Sequence, residues 1–504
     1  MMFGKVWMCI GLLFILPLNA QDNDILNKEL YIPKLKGSTY EVLKKISDLS
    51  GYLFMYDSEV VNNERNIKIP AGDYSLKDII LQVTDFEIQI KVIDRHILLH
   101  KSSDQNQHTE RNKSHLILEG IVKDKENNEP IPYCSVNISE NGMGTVTNQN
   151  GAFILKLPDS LKNTSVRISH IGYESQNIPA DLFMDHTIDI YLNAQAIALE
   201  SVIINYIDPQ KILKDMMENR SRNYPSRPFY TTSFYREGIN RKKGFCSLSE
   251  GVFRIYKTGY NSTSKEQVKL MKMRKISDAR KQDTVIMKMK AGVSAILMLD
   301  VVKDIPDFLE IDGNMFDYRK TGIETMNEHR THVITFEQKP EIRGPLYKGS
   351  LYIDEKSYAL IHTHFQINPA YIEQANSLLV ANKGRNVNIS VQSAEYSVSY
   401  RLWNSKYYIN HIRGDLHFKV KLKKIFSVPS LIHTYFEMVT CAIDTLNVKK
   451  IPFKEVQPAH KVFSETHYVY DAGFWENFNM ILPEEKLSDA ISRITSKIEE
   501  KIEF

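Results

Sequence analysis

The chain's 504 residues are enough for about three domains of roughly 150 residues each. A content of 42 % hydrophobic and 25 % charged residues is globular and excludes an intrinsically disordered chain. With 64 basic against 61 acidic side chains and a formal net charge of +3, there is no basic surplus of the kind that nucleic-acid binding needs.

At the N-terminus Lys5 precedes an apolar run from Val6 to Leu16, and Pro17-Leu18-Asn19-Ala20 leads into the polar Gln21-Asp22-Asn23-Asp24. This pattern predicts a secretory signal peptide over residues 1–20, cleaved after Ala20. The apolar run is shorter than the ~20 residues a spanning helix requires, and no later stretch is long enough to anchor the chain. Export would place the chain where disulfides form. Cys134, Cys246 and Cys441 are nevertheless odd in number, far apart and in no Cys-x-x-Cys pair, so neither a disulfide framework nor a zinc knot is implied.

Residues 28–101 read as a small βαβ-type module. Glu29 to Pro33 is strand-like, and Ser38 caps a helix through Tyr40–Ile46 with Val42, Leu43 and Ile46 on one face. Gly51 ends that helix and Tyr52–Tyr56 follows as a strand. The pattern repeats with Asn66–Ile69 as strand, Ser75 as cap and Leu76–Val83 as helix. Glu87–Val92 and His96–His100 close it as a hairpin. The order, with its Gly-Tyr-x-Phe-x-Tyr strand, resembles the secretin and TonB short N-terminal domain. That resemblance implies a periplasmic contact module without catalytic residues.

Residues 102–114 are polar and lack aromatics, as a linker does. From 115 to 206, short alternating strands between turns predict a small β-sandwich: Leu116–Val122, Ser135–Ile138, Phe153–Leu157, Val166–Ser169 and Ile188–Leu192. Three pieces stand out: Glu119-Gly120-x-Val122-x-Asp124 with Pro130-Ile131-Pro132; Gly144-Thr145-Val146-Thr147-x-x-x-Gly151-x-Phe153; and Ser169-His170-Ile171-Gly172-Tyr173-Glu174. Together they resemble the carboxypeptidase-regulatory-like domain, with Leu199–Ile204 similar to its closing strand. The resemblance implies an Ig/transthyretin-like sandwich that accompanies other domains and is not itself a peptidase. Gly144, Gly151 and Gly172 fit turn positions with positive φ.

Residues 207–504 predict one mainly antiparallel α+β domain, which makes the whole chain multidomain α+β. Pro209–Asn219 is expected as a helix. Ser233–Glu237 and Gly251–Tyr256 read as strands. One hairpin is expected from Gly349–Ile353 and Ala359–Ile367, another from Val387–Trp403 and Tyr407–Leu422 turned at Asn404-Ser405-Lys406. The Tyr352-Ile353-Asp354…Ala359 hairpin resembles the curved sheets of envelope lipoprotein carriers, and the region as a whole resembles the C-terminal part of regulatory-domain envelope proteins of Bacteroidetes type. A plug with a barrel of about 22 strands does not fit in what remains.

Candidate chemistry is sparse. A zinc peptidase would need His-x-x-Glu or His-Glu-x-x-His; neither occurs, and Glu328-His329-Arg330-Thr331-His332 has its Glu on the wrong side. His362 and His364 share one strand face, with no third ligand indicated. Ser262-x-x-Lys265 has the spacing of penicillin-recognising enzymes without their other motifs. Lys419, Lys421 and Lys423 alternate as on a solvated strand edge or a lipid-contacting one. Phe474-Trp475-x-Asn477-Phe478 either anchors an interface or packs a closing helix, Glu484–Lys501, onto the sheet. No catalytic, metal or cofactor residue is nominated.

The sequence therefore predicts a non-catalytic, exported envelope protein of the periplasm or the periplasmic face of the outer membrane. Its partners would be other envelope proteins, TonB-linked receptor components among them, or a lipid or membrane surface, and not nucleic acid. The alternatives are a relay or accessory role in TonB-linked uptake, and a hydrolase hidden in residues 207–504.

Overall fold

The computed structural model describes residues 25–56, 65–84, 88–93, 96–101, 115–183, 187–195, 208–241, 245–278, 288–289, 293–326, 329–382, 387–423, 428–458, 463, 478–483 and 496–497. The chain divides into two compact units, Met1–His108 and Thr109–Phe504.

The first unit is built from β1 (Glu29–Ile32), β2 (Leu35–Ser38), β3 (Leu53–Tyr56), β4 (Asn66–Ile69), β5 (Gly72–Ser75), β6 (Ile88–Ile93) and β7 (His96–Lys101), with helices Thr39–Ser50 and Leu76–Thr84. Ser38 closes a reciprocal cap: its Oγ accepts from the Glu41 amide at 3.3 Å, and Glu41 Oε2 accepts from the Ser38 amide at 3.0 Å. Gly51, at φ 77°, ends that helix in the left-handed conformation. Val42, Leu43 and Ile46 bury against Ile79, Ile80 and Val83 of the second helix and against Ile97 and Leu99 of β7, which runs parallel to β3. β2 and β5, four residues each, carry no alternation strong enough to be read in advance.

In the second unit β8 (His115–Asp124), β9 (Ser135–Ile138), β10 (Gly144–Val146), β11 (Ala152–Pro158), β12 (Ser165–Ser169), β13 (Gln176–Pro179) and β14 (Thr187–Leu192) form two facing sheets, ordered β10-β9-β12-β13 and β11-β8-β14. Leu118, Val122, Val136, Ile138, Leu155 and Ile168 fill the space between them. Two of the sequence motifs meet here: Tyr173 donates from its hydroxyl to Asp124 Oδ2 at 2.8 Å, and the other oxygen of Asp124 holds the amides of Glu126 and Asn127. Gly151 and Gly172 have φ of 70° and 77°. Gly144 does not share that conformation. It lies inside β10, where an added Cβ would stand 2.3 Å from Arg401 Nη1 and 2.9 Å from the Val136 carbonyl, so close approach rather than backbone freedom selects glycine. The positive φ belongs instead to Gly142, at 69°. Residues 199–204, expected as the closing strand, lie outside the described residues.

The rest of the unit is one long antiparallel sheet: β15 (Phe229–Arg241), β16 (Phe245–Lys257), β17 (Gln267–Asp278), β19 (Phe316–Met326), β20 (His329–Gln338), β21 (Tyr347–Asp354), β22 (Leu360–Ile367), β24 (Val387–Trp403), β25 (Lys406–Leu422), β26 (Ser430–Asp444) and β27 (Ser496–Lys497). Two short strands, β18 (Lys288–Met289) and β23 (Val380–Asn382), pair separately. From β15 the chain builds outward to β17, crosses to the far edge at β19 and meanders back until β26 pairs with β15. Asn404 and Ser405, both at positive φ, make the tight turn between β24 and β25. The expected strands and hairpins are present, and helix is a minor cover: Pro209–Glu218, capped by Asp208, is the longest described helix of this region. β25 is an interior strand, so Lys419 and Lys421 are exposed on a face of the sheet rather than at an edge, and Lys423, also exposed, lies just past the strand's end. The proposed closing helix falls mostly outside the described residues. Its one described pair, Ser496–Lys497, is strand against Ser277 and Asp278, because the open edge of β17 offers unpaired backbone groups.

The two faces of this sheet differ. One is apolar and closed by helix Pro209–Glu218 and residues 293–313; Phe308 stacks on Phe336 at 4.4 Å and meets Phe316 and Phe365 edge-on or tilted. Asp300 pins that cover, accepting from Lys257 Nζ at 2.9 Å, Tyr260 at 3.0 Å and Tyr400 at 2.8 Å. The sandwich docks on the other face. Val146 of β10 packs against Phe234, Val252, Val439 and Ile481, and residues 478–483 are clamped in the seam. Asn479 accepts the Lys156 amide at 2.6 Å and donates to the Lys156 carbonyl at 3.2 Å, and the Met480 carbonyl accepts from Thr145.

Candidate binding site between the sandwich and the sheet

Beside that seam, β24 and β25 place a polar floor beneath the sandwich. Alternation turns Ser397, Ser399, Arg401 and Trp403 of β24 to this face, while Val398 and Tyr400 enter the apolar core. A bulge opposite Ser399 and Tyr400 gives β25 the extra residue Asn410, whose Nδ2 donates to Ser135 Oγ of the sandwich at 3.3 Å. The roof is Tyr133, β9 and the turn that carries His170. Tyr133 stacks on His411 with ring centroids 5.3 Å apart, and the Arg413 guanidinium lies 5.1 Å from the Tyr133 ring centre. Between floor and roof is a cavity of about 540 Å³.

Its lining mixes polar and apolar side chains and lacks carboxylates: among the described residues it includes Arg167, Arg401, His170, His329, His362 and His411 and no Asp or Glu. Burial lowers His362 to about 3, helped by His170, His364 and His411, so the imidazole is neutral at ordinary pH. His170 is also lowered by burial; its Nδ1 stands 2.9 Å from the Ile171 carbonyl and therefore carries the hydrogen. Arg401 is 5 % exposed, and its Nη2 donates to the Gly142 carbonyl at 2.6 Å. Nε and Nη1 are buried with no hydrogen-bond partner among the described residues. Burial lowers its pKa to about 10.

Next to the cavity an ion-pair rung crosses five strands at one register: Arg274, Glu250, Arg236, Glu437 and Arg413 are successive cross-strand partners. Arg236 is 1 % exposed, pairs with both glutamates and also donates to the carbonyls of Ile481 and Leu482. Arg413 continues the chain to Glu437 and Asp415, and Asp415 to His433. Burial opposes ionisation of Glu437 and Asp415, but the cations outweigh it and hold both carboxyls down at about 2. Every charge on this rung is matched, in contrast with Arg401.

The sequence candidates are scattered. His362 lines the cavity while His364, two residues on, is exposed and belongs to a separate groove with Arg319, Glu337 and Lys348. Among the described residues no group of three or more His, Cys, Asp or Glu is arranged to hold a metal. Ser262 sits in a loop where its carbonyl accepts from Lys303, and Lys265 is exposed. His329 begins β20, with Nδ1 3.4 Å from Asp354, and Glu328 lies outside the described residues. So do 474–477; Phe478 packs against the seam cluster. Cys134 and Cys441 are buried and free. Arg401, Tyr133 and Asn410 were missed, since nothing local to them signals the site.

Residues 118–204 match the family model of the CarboxypepD_reg-like domain. No curated protein matches the chain. Solved structures similar to part of the chain include an outer-membrane lipoprotein-sorting protein domain from Vibrio parahaemolyticus, with 10 % identity, 48 % of this chain and 96 % of that one covered, and a TM-score of 0.24. A LolA superfamily protein from Nitrosomonas europaea has 9 % identity, coverage of 51 % and 100 %, and a TM-score of 0.18. MucB in complex with MucA has 11 % identity, coverage of 47 % and 98 %, and a TM-score of 0.15. At such scores the description of the sheet rests on its own strand order. No described helix is long and apolar enough to cross a membrane.

Proposed function

We propose that this is an exported, non-catalytic binding protein of the bacterial cell envelope, which takes its ligand in the cleft between the regulatory-like sandwich and the sheet. The observation that carries the reading is the lining of that cleft. Hydroxyl, amide, imidazole and guanidinium groups from both modules converge on about 540 Å³, a volume within the range of small-molecule sites. Catalysis by a hydroxyl nucleophile would need a base and an orienting acid. The serine–histidine pair of Ser393 and His417, 3.0 Å apart, lies on the open sheet, and the neighbouring Asp415 is engaged by Arg413 and His433 instead. The envelope location is supported by the signal-like residues 1–20 and by the regulatory-like domain. The test is a pull-down of the mature protein from envelope extracts, with mass spectrometry of bound proteins and small molecules. Recovery of a ligand that Trp403→Ala releases supports the reading, and an empty result from a folded protein counts against it.

A second reading is a relay or accessory role in TonB-linked uptake. It is favoured by the order of elements in residues 29–101, where the helices follow the strands as in a secretin and TonB short N-terminal domain. It predicts that the same pull-down recovers a receptor or TonB component, and that deleting residues 28–101 abolishes the recovery.

A further inference from the structure

We propose that the cavity between the sandwich and the sheet recognises an oxyanion, a carboxylate or phosphate group of a small-molecule ligand, and that Arg401 is the residue that seats it. The inference rests on the binding reading above and specifies the chemistry of that same site.

Three observations meet at Arg401. A guanidinium carries five donors and no acceptor, and a buried one ordinarily finds a carboxylate. Arg401 is 5 % exposed and lines the cavity, yet its one hydrogen bond among the described residues is to the neutral Gly142 carbonyl, with Nε and Nη1 unused. Leaving a buried charge uncompensated is costly, and two other buried cations of this protein are compensated: Arg236 has Glu250 and Glu437, and Lys257 has Glu266 and Asp300. The surroundings then decide which charge is missing. No acidic residue lines the cavity among the described residues, while Arg167 adds a second cation at the wall. Ser399, Ser135 and Asn410 line the same cavity and add polar groups to its wall. The indole of Trp403 and the ring of Tyr133 supply apolar walls for its body.

The site's position matters as well. Arg401 comes from the sheet and its carbonyl partner from the loop that ends at Gly142 of the sandwich. An anion paired with this guanidinium would therefore sit at the junction of the two modules and would tighten it.

The test is a thermal-denaturation titration of the full mature chain with sodium phosphate and, separately, sodium acetate, at ionic strength held constant with sodium chloride. We expect at least one anion to raise Tm saturably, and Arg401→Met to weaken that response roughly 10- to 100-fold in apparent affinity, the range for a hydrogen-bonded charge. Arg401→Lys, which keeps the charge and loses the fork, should be intermediate, and Lys421→Gln on the exposed sheet should respond as the parent does. A response to phosphate alone assigns a phosphate ligand, and a response to acetate a carboxylate. A purely structural Arg401 would lower Tm on substitution and leave the anion response intact. That result overturns the proposal, as does the absence of any response to either anion in the parent. Should Arg401→Met not fold, the Lys variant decides by the same criterion. A neutral ligand recovered in the pull-down and released by Trp403→Ala would overturn the oxyanion inference while sustaining the binding reading.

Discussion

Arg236 donates from Nη1 to Oε1 of Glu437 at 3.0 Å, across the junction where β15, the first strand of the long sheet, meets β26, the last to return to it. Both side chains are almost wholly buried, at 1 % and 3 % exposure, and each has a second partner of opposite charge. The pair thus lies at the point where the meander closes, and the same guanidinium holds the carbonyls of Ile481 and Leu482 in the seam below the sandwich.

Glu437→Gln keeps the shape and removes the charge between Arg236 and Arg413. Breaking a buried pair by removing one partner costs about 3–5 kcal/mol, so the variant should unfold at clearly lower urea concentration. Arg236→Met should do the same and in addition expose residues 478–483 to limited proteolysis, which Glu437→Gln should do less. Equal protease resistance in all three proteins would contradict the role given to Arg236 in the seam.

On the opposite face, Asp300 carries three donors, Lys257, Tyr260 and Tyr400, and Tyr400 in turn accepts the Val302 amide. Asp300→Ala takes one of two carboxylates from the buried Lys257 ammonium, which keeps Glu266, and leaves two buried phenols without their acceptor, an expected loss of about 3–5 kcal/mol. Hydrogen exchange should locate the loosening in residues 293–313, with β25 and β26 little affected.

The pH dependence of stability has a defined sign. His362 is neutral in the folded protein down to about 3, against an ordinary value of 6.5. Its contribution is complete above pH 6.5 and erodes as pH falls below that value, because the unfolded chain takes up the proton first. Glu437 and Asp415 are held at about 2 against 4.5 and 3.8, so their contribution is complete above about 4.5 and is lost as pH falls toward 2. The Tm should therefore decline below pH 6.5 and more steeply below 4.5. His362→Gln should flatten the upper limb only, and a Tm that rises between pH 6.5 and 4 would contradict both assignments.

Asn479 reads the backbone of Lys156 from both sides, in the manner of a strand neighbour. Asn479→Ala leaves those buried groups unpaired, a loss of about 1–3 kcal/mol. Since the segment bridges sandwich and sheet, the calorimetric transition of the variant should broaden or split, while in the parent the two modules melt together.

What was legible in the sequence follows the range of the interactions. Ser38 with Glu41, Gly51, the Asn404-Ser405 turn and the alternation of β24 and β25 are local signals, and each corresponds to the element observed. The return of β26 to β15 is not local, and neither is the seam. Arg401 meets Gly142 across 259 positions, and Asn479 meets Lys156 across 323. A lone arginine in a strand reads as a solvated charge, and only the docked sandwich buries it. The His362 and His364 pair shows the same limit. Alternation puts both on one face, but the overlying module covers the first and leaves the second in the open.

The central claim is that the sandwich and the sheet form a binding cleft between them. The most direct measurement is hydrogen–deuterium exchange of the full mature chain, with and without the small-molecule fraction of an envelope extract. The account predicts added protection in residues 133–143 and 397–411, which form the roof and floor of the cavity, with residues 29–101 unchanged. Protection confined to residues 29–101, or to the apolar cover at 293–313, would contradict it.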